Sequence, residues 1–280
     1  MDKEILHQFI LNALSEDVGD GDHTSLATIE AGTRGKAKLL VKDAGILAGV
    51  ELARQIFDEV DTQLKLDTFL NDGDEIKPGD IAFEVEGGAQ SILKAERLVL
   101  NCMQRMSGIA TKTHAIVKLL EGTNTKVLDT RKTTPGMRYL EKWAVRIGGG
   151  VNHRIGLYDM ILIKDNHVDY SGGIRQAIEN ANNYLQDTGK KLAIEIEVRN
   201  LDELEQVLQT GKVNRIMLDN FDFDTLRQAV SMIHGRYITE ASGGITIDNI
   251  RDYADCGVDY ISVGALTHSV KSLDLSLKAV

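Results

Sequence analysis

Cysteine, proline and long apolar runs are what this sequence has least of. Its 280 residues hold two cysteines, Cys102 and Cys256, far apart and outside any C-x-x-C pair. That excludes a disulfide framework and a cysteine-built zinc site. It leaves two small buried thiols, of the kind a cytoplasmic setting keeps reduced. Two prolines, Pro78 and Pro135, exclude a Pro-rich linker or low-complexity tract. No run of about 18 apolar residues occurs, which excludes a membrane-spanning helix. The opening Met1-Asp2-Lys3-Glu4 carries no apolar signal core. Positive charge is also short, since 32 Lys and Arg against 42 Asp and Glu leave a formal net charge of −10. A broad nucleic-acid-binding face is thereby excluded. What is present, 42% hydrophobic and 26% charged residues, is ordinary for a soluble globular chain. Its length suffices for one large core, or one core plus a smaller domain.

The scarce cations are not spread evenly. Between Lys126 and Arg175, nine Lys or Arg stand against five Asp or Glu. They come in tight sets: Asp129-Thr-Arg-Lys-Thr-Thr-Pro-Gly136, Gly148-Gly-Gly-Val-Asn-His-Arg154 and Ile163-Lys-Asp-Asn-His167. Concentrated cations in an acidic protein imply a local pocket for a small anion.

The first 110 or so residues differ in pattern from the rest. An amphipathic opening segment (Ile5, Leu6, Phe9, Ile10, Leu14) leads into a Gly/Asp turn region, Val18 to Thr24. Strand-like runs follow at Gly35–Val41, Ile46–Gly49 and Ile81–Val85, separated by turn signals at Asn71-Asp-Gly-Asp74 and Lys77-Pro-Gly-Asp80. A helical pattern then covers Ala89 to Leu120, with Ser107-Gly108 reading as a break between helices and between domains.

From Lys126 a unit repeats. Short apolar runs at Lys126–Leu128, Met160–Ile163, Leu192–Val198, Arg215–Leu218, Tyr237–Thr239 and Tyr260–Val263 each precede a helical stretch. This alternation predicts parallel strands covered on both faces. Val151-Asn152-His153 is a candidate for one further short strand. Each run has ionisable or Gly-rich residues at or just past its C-terminal end: Arg131 and Lys132, Lys164, Glu197, Asp219, Ser242-Gly243-Gly244, Gly264-Ala265. In a closed parallel sheet those ends open on one face. An open sheet gathers its ligand at one switch point instead. The pattern therefore favours an incomplete α/β barrel of six or seven strands.

Several constellations carry chemistry. Ser242-Gly243-Gly244 and Gly264-Ala265 follow the last two runs and open helices, which suits a phosphate cradle of backbone N–H groups. Arg131, Lys132, His153, Arg154 and Lys164 suit a polycarboxylate. Glu197 and Asp219 suit ribose hydroxyls or Mg²⁺. Glu195 and Glu197, two apart, face the same side of their strand, and burying such a pair requires a cation. Lys164 also admits a Schiff-base reading, which would make the protein a lyase. His23, His114, His167 and His268 read as structural.

Taken together the motifs identify a resemblance. The three cationic sets, with Glu195-Ile-Glu-Val198, Met217-Leu-Asp-Asn220, Ser242-Gly-Gly244 and Val263-Gly-Ala-Leu-Thr-His-Ser269, closely resemble the quinolinate phosphoribosyltransferase family. Glu16-Asp-Val-Gly-Asp-Gly-Asp-His-Thr24, Ala95-Glu-Arg97 and Ser107-Gly-Ile-Ala-Thr111 extend the likeness over nearly the whole chain. The loose similarity of Val127–Thr134 to the phosphate-binding motif of Rossmann-like phosphoribosyltransferases fails, because its adjacent acidic pair is missing.

The resemblance implies an N-terminal α/β sandwich over residues 1–110, rejoined by the tail 268–280. It implies a seven-stranded incomplete barrel over 111–267. It also implies that phosphoribosyl pyrophosphate and quinolinate give nicotinate mononucleotide, pyrophosphate and CO₂, with Mg²⁺ and no organic cofactor. Arg131, His153, Arg154 and Lys164 then bind quinolinate, with Thr130 and Lys132 beside them. Glu197 and Asp219 serve the ribose and Mg²⁺ side, and Ser242, Gly243, Gly244, Gly264 and Ala265 hold the 5′-phosphate. Lys132, Lys164, Glu197 and Asp219 are the expected catalytic set. Arg97 is expected to reach the neighbour's site across a homodimer. The rivals are a sister phosphoribosyltransferase with another acceptor, such as the molybdenum-transport-linked homologue, the Lys164 lyase, and a non-catalytic phosphate-binding barrel.

Overall fold

A computed structural model describes residues 3–280. In chain order its elements are α1 (Lys3–Val18), α2 (His23–Thr28), β1 (Arg34–Val41), β2 (Gly45–Ile46), α3 (Val50–Val60), β3 (Lys65–Thr68), β4 (Glu75–Ile76), β5 (Ile81–Gly88) and α4 (Ala89–Leu119). There follow β6 (Lys126–Leu128), α5 (Arg138–Ile147), β7 (Ile161–Ile163), α6 (Asp165–Ser171), α7 (Ile174–Thr188), β8 (Ile194–Val198), α8 (Leu201–Thr210) and β9 (Arg215–Asp219). The last are α9 (Phe223–Ile233), β10 (Ile238–Ser242), α10 (Ile250–Ala254), β11 (Tyr260–Ser262), α11 (Ala265–His268) and β12 (Leu275–Ala279). The chain forms two compact units. The first takes in the chain to His114, with Thr133–Gly149 and Leu266–Val280; the second is Ala115–Lys132 with Gly150–Ala265.

The first unit is organised on a four-stranded antiparallel sheet, ordered β12-β1-β5-β3, with a small pair β2-β4. The C-terminal strand lies on β1 with Ala37 opposite Ala279 and Val41 opposite Leu275, so the tail does rejoin this unit. Buried Leu52, Ala53, Ile56 and Phe57 form the core face of α3. Phe57 meets Phe83 of β5 edge-on, with centroids 6.0 Å apart. Buried Ala95, Val99, Met103, Met106 and Ala110 repeat every three or four residues along α4, the spacing of one helix face.

Here the structure corrects the sequence reading, for α4 runs unbroken through Ser107-Gly108. The Ser107 hydroxyl accepts from Ala48 N–H (2.9 Å) and donates to Ala48 C=O (3.2 Å). A Cβ on Gly108 would lie 2.3 Å from the Lys271 carbonyl oxygen. The pair marks close packing rather than a helix stop. The Gly/Asp turn region also holds more than a turn, because Asp22 caps α2 by accepting from Ser25 N–H at 3.1 Å.

The second unit holds a six-stranded parallel sheet ordered β6-β11-β10-β9-β8-β7. The first strand thus pairs with the last, and the others follow in sequence order. A doubly wound sheet would instead place its first strand inside and reverse direction there. This is the order of a barrel interrupted between β6 and β7. On the β6 side of the gap, Val151 makes a single parallel bridge to Leu128, the trace of the expected seventh strand. Strand β8 is buried at every residue, Ile-Glu-Ile-Glu-Val, so alternation sends Ile194, Ile196 and Val198 to one face and Glu195 and Glu197 to the other.

Candidate active site

A cavity of about 210 Å³ opens among the strand ends of the second unit. Arg131, Lys132, His153, Arg154 and Lys164, the five cations gathered from three separate motifs, all line it, as do Thr130 and Ser242. Asp129, behind the lining residues, holds one side of the cavity in place. It is buried, accepts from Asn152 Nδ2 (2.6 Å) and from His153 N–H (2.8 Å), and so docks the Val151–Arg154 segment beside the end of β6. Asp159 in turn accepts from Ile155 N–H (2.7 Å) and Gly156 N–H (2.8 Å), fixing the loop beyond Arg154. Burial and then the like charge of Arg131 lower the Arg154 pKa. Two guanidinium groups repelling one another at a cavity wall are a site for an anion of more than one charge.

Beneath these cations lies a cluster of buried charge. His153 Nε2 is 2.9 Å from Glu195 and 3.5 Å from Glu240, and Arg215 donates to Glu240 at 3.0 Å. The Arg215 guanidinium also lies 4.7 Å from the Tyr260 ring centroid. Burial alone would lower the His153 pKa; the Glu195 and Glu240 carboxylates overcome it and raise it to about 9. Burial, with Glu240 close by, raises Glu195 to about 7. Glu240 lines the cavity, and so do Leu162, Met217 and Ser262. None of the four is an expected site residue, although parity contains a signal: Glu240 lies two before Ser242 on β10, and Met217 two before Asp219 on β9.

His153, Glu195 and Glu240 have the composition of a metal site, with candidate ligand atoms within 4.8 Å of one another. The protonation of the ring argues otherwise. Nε2 faces both carboxylates, and their charge keeps its proton in place, which leaves no lone pair there for a metal. The cluster is therefore a set of charge-compensated ion pairs, in which His153 supplies the cation that the buried Glu195 needs and Arg215 the one that Glu240 needs.

Glu197, the other carboxylate of the pair, meets Lys164 at 3.2 Å. Burial raises its pKa, Lys164 opposes that, and the charge of Asp219 reinforces it. Glu197 and Asp219 are thus close enough to repel. Lys164 Nζ donates to Glu197, and an amine engaged in that way counts against Lys164 as a free Schiff-base nucleophile. The backbone of Lys164 is fixed too, its N–H donating to His167 Nδ1 at 2.9 Å. Gly243 and Gly244 follow β10 with φ of 95° and 61°, and a Cβ on Gly244 would meet nothing within 4 Å. Gly264 and Ala265 open α11 after β11. Arg97 is exposed on α4 in the first unit and is not among the residues lining the cavity.

Comparison with known proteins identifies relatives along nearly the whole chain. Family models described as quinolinate phosphoribosyl transferase, N-terminal and C-terminal domains, match residues 22–107 and 109–278. Quinolinate phosphoribosyltransferase [decarboxylating] 1b of Nicotiana tabacum is 47% identical over 281 residues, covering 95% of this chain and 80% of the relative. The probable nicotinate-nucleotide pyrophosphorylase [carboxylating] of Bacillus subtilis is 42% identical, covering 98% of this chain and 92% of the relative. The crystal structure of NadC from Streptococcus pyogenes superposes with a TM-score of 0.93 at 38% identity, covering 100% of this chain and 99% of that one.

Proposed function

Because the chain belongs to the quinolinate phosphoribosyltransferase family, we propose that it transfers the phosphoribosyl group of phosphoribosyl pyrophosphate to quinolinate and releases CO₂. The product is nicotinate mononucleotide, an NAD precursor. The observation that carries this reading is the convergence of five cations on one cavity beside a pair of repelling carboxylates.

Quinolinate carries two adjacent carboxylates. Arg131, Arg154, Lys164 and the protonated His153 bind them, with Thr130 and Lys132 alongside, and hold the ring nitrogen toward the anomeric carbon. This is catalysis by positioning. Ser242-Gly243-Gly244 and Gly264-Ala265 take the 5′-phosphate through backbone N–H groups. Glu197 and Asp219 suit Mg²⁺, since they are hard oxygen donors whose mutual repulsion a cation relieves. Bound there with the substrate pyrophosphate, Mg²⁺ would neutralise charge on the leaving group. The same carboxylates stabilise positive charge developing on the sugar.

As the nitrogen lone pair forms the N–C bond, the C–O bond to pyrophosphate breaks. The pyridinium nitrogen of the adduct then draws in the electron pair of the ring carbon–carboxylate bond, CO₂ departs, and that carbon takes up a proton. No side chain acts as a covalent nucleophile. Among the described residues no helix is long and apolar enough to cross a membrane. Two buried free thiols, Cys102 and Cys256, support a cytoplasmic location.

The test incubates the protein with quinolinate, phosphoribosyl pyrophosphate and Mg²⁺ and follows nicotinate mononucleotide and CO₂ together. Both are expected, each dependent on both substrates. Neither appearing from folded protein would transfer the assignment to a sister phosphoribosyltransferase with another acceptor.

A further inference from the structure

We propose that Asn220 is a positioning residue for Asp219, and that it couples the carboxylate end of the site to the phosphate loop through Gly243. The proposal rests on the role given above to Asp219. Among the described residues three non-glycines have positive φ: Lys212, Asn220 and His234. Lys212 and His234 lie just past the ends of α8 and α9, where a left-handed residue commonly stops a helix. Asn220, at φ 57°, directly follows β9 at the C-terminal, ligand-facing end of the sheet. A strained backbone there persists only where the surroundings fix it.

Two hydrogen bonds fix it. The Asn220 N–H donates to Ser242 C=O at 2.8 Å, tying the end of β9 to the end of β10. Its side-chain Nδ2 donates to Asp219 Oδ2 at 2.6 Å, so one carboxylate oxygen is held and Oδ1 is left for a ribose hydroxyl or Mg²⁺. Across the turn, a Cβ on Gly243 would fall 2.2 Å from Asn220 Oδ1 and 2.9 Å from Asn220 N. Any side chain at 243 would drive Asn220 out of place. Gly243 excludes a side chain for two reasons, its φ of 95° and the Asn220 side chain, whereas at Gly244 only the φ of 61° does so. One residue thus links the orientation of Asp219 to the loop assigned to the 5′-phosphate.

Two substitutions separate backbone from side chain. Asn220→Gly keeps the left-handed conformation and removes the donor. Asn220→Asp keeps the shape but sets a second carboxylate against Asp219. For the loss of one hydrogen bond to a carboxylate, Asn220→Gly is expected to raise the KM for phosphoribosyl pyrophosphate and the Mg²⁺ concentration for half-maximal activity by about tenfold. The KM for quinolinate and the Tm stay unchanged. Asn220→Asp is expected to be worse in the same two readouts. Gly243→Ala is expected to reproduce the defect in the wild-type background and to cost less on top of Asn220→Gly. Wild-type values for both quantities in Asn220→Gly would overturn the proposal and leave Asn220 a turn residue. Asp219→Asn keeps the two failures apart. An active Asp219→Asn enzyme would remove the role of Asp219 itself; an inactive one beside a normal Asn220→Gly would remove only the positioning role.

Discussion

At the residue scale the most consequential group is His153. Its folded-state pKa of about 9 stands above the ordinary 6.5, so between those values the folded protein keeps a proton that the unfolded chain has lost. The stability this contributes is complete below pH 6.5 and disappears as pH rises through about 9. Denaturant midpoints measured across that window should fall with rising pH. His153→Gln keeps an amide donor for Glu195 but has no proton to lose, so its midpoints should fall less. Equal slopes in the two proteins would show that His153 is not charged in the fold. The five cations were legible in sequence because each sits in a short, tightly spaced motif. Arg215 and Glu240 were not. Arg215 opens β9 and Glu240 lies within β10, neither in a tightly spaced charged motif, and the pairing of Glu240 with both His153 and Arg215 depends on bringing β9, β10 and the Val151–Arg154 segment together. The buried partner of Glu195 was anticipated as a chemical need. Its identity was not, since His153 lies far away in the chain.

At the element scale, legibility followed burial. Strands β6, β7, β8, β9 and β11 of the parallel sheet were read from continuous apolar runs to within two residues at each end. Strand β10 begins only one residue after the expected run but extends to Ser242, because its Glu240 and Ser242 look polar while facing the interior. Strands β3, β4 and β12 are partly exposed and interleave polar residues, so they offered no continuous apolar run. The misread element is α4, and Gly108 explains why. Glycine is a poor helix former, and propensity read alone puts a break there. If Gly108 were merely a weak point of the helix, Gly108→Ala would stabilise the protein by about 1 kcal/mol. With a backbone carbonyl 2.3 Å from the added Cβ, the opposite sign follows, a loss of about 1–3 kcal/mol in chemical denaturation. Helix α5 is held within the same unit by similar means. Buried Glu141 accepts from Arg105 Nε at 2.7 Å, and a Cβ on Gly148 would lie 2.4 Å from the Ala110 carbonyl oxygen.

At the scale of the whole molecule, a chain of net charge −10 gathers its cations where its substrates are anionic. That concentration draws in the substrates and holds them against each other. Arg97 is the one expected site residue outside the unit that holds the cavity. If the protein is a homodimer in which Arg97 of each copy serves the other's cavity, two inactive variants should rescue one another. Arg97→Ala leaves its own cavity intact but deprives its neighbour; Glu197→Gln damages its own cavity but still supplies Arg97. Each alone should be inactive, and light scattering should find both dimeric. Mixed in equal amounts and allowed to exchange, half the dimers are hybrids with one complete site each, so activity should return to about a quarter of the wild-type level. If Arg97 acted within its own chain, every site in the mixture would keep one defect. Activity would then stay at the level of the separate variants, and a full hybrid population with no recovery would assign Arg97 to its own subunit or to neither.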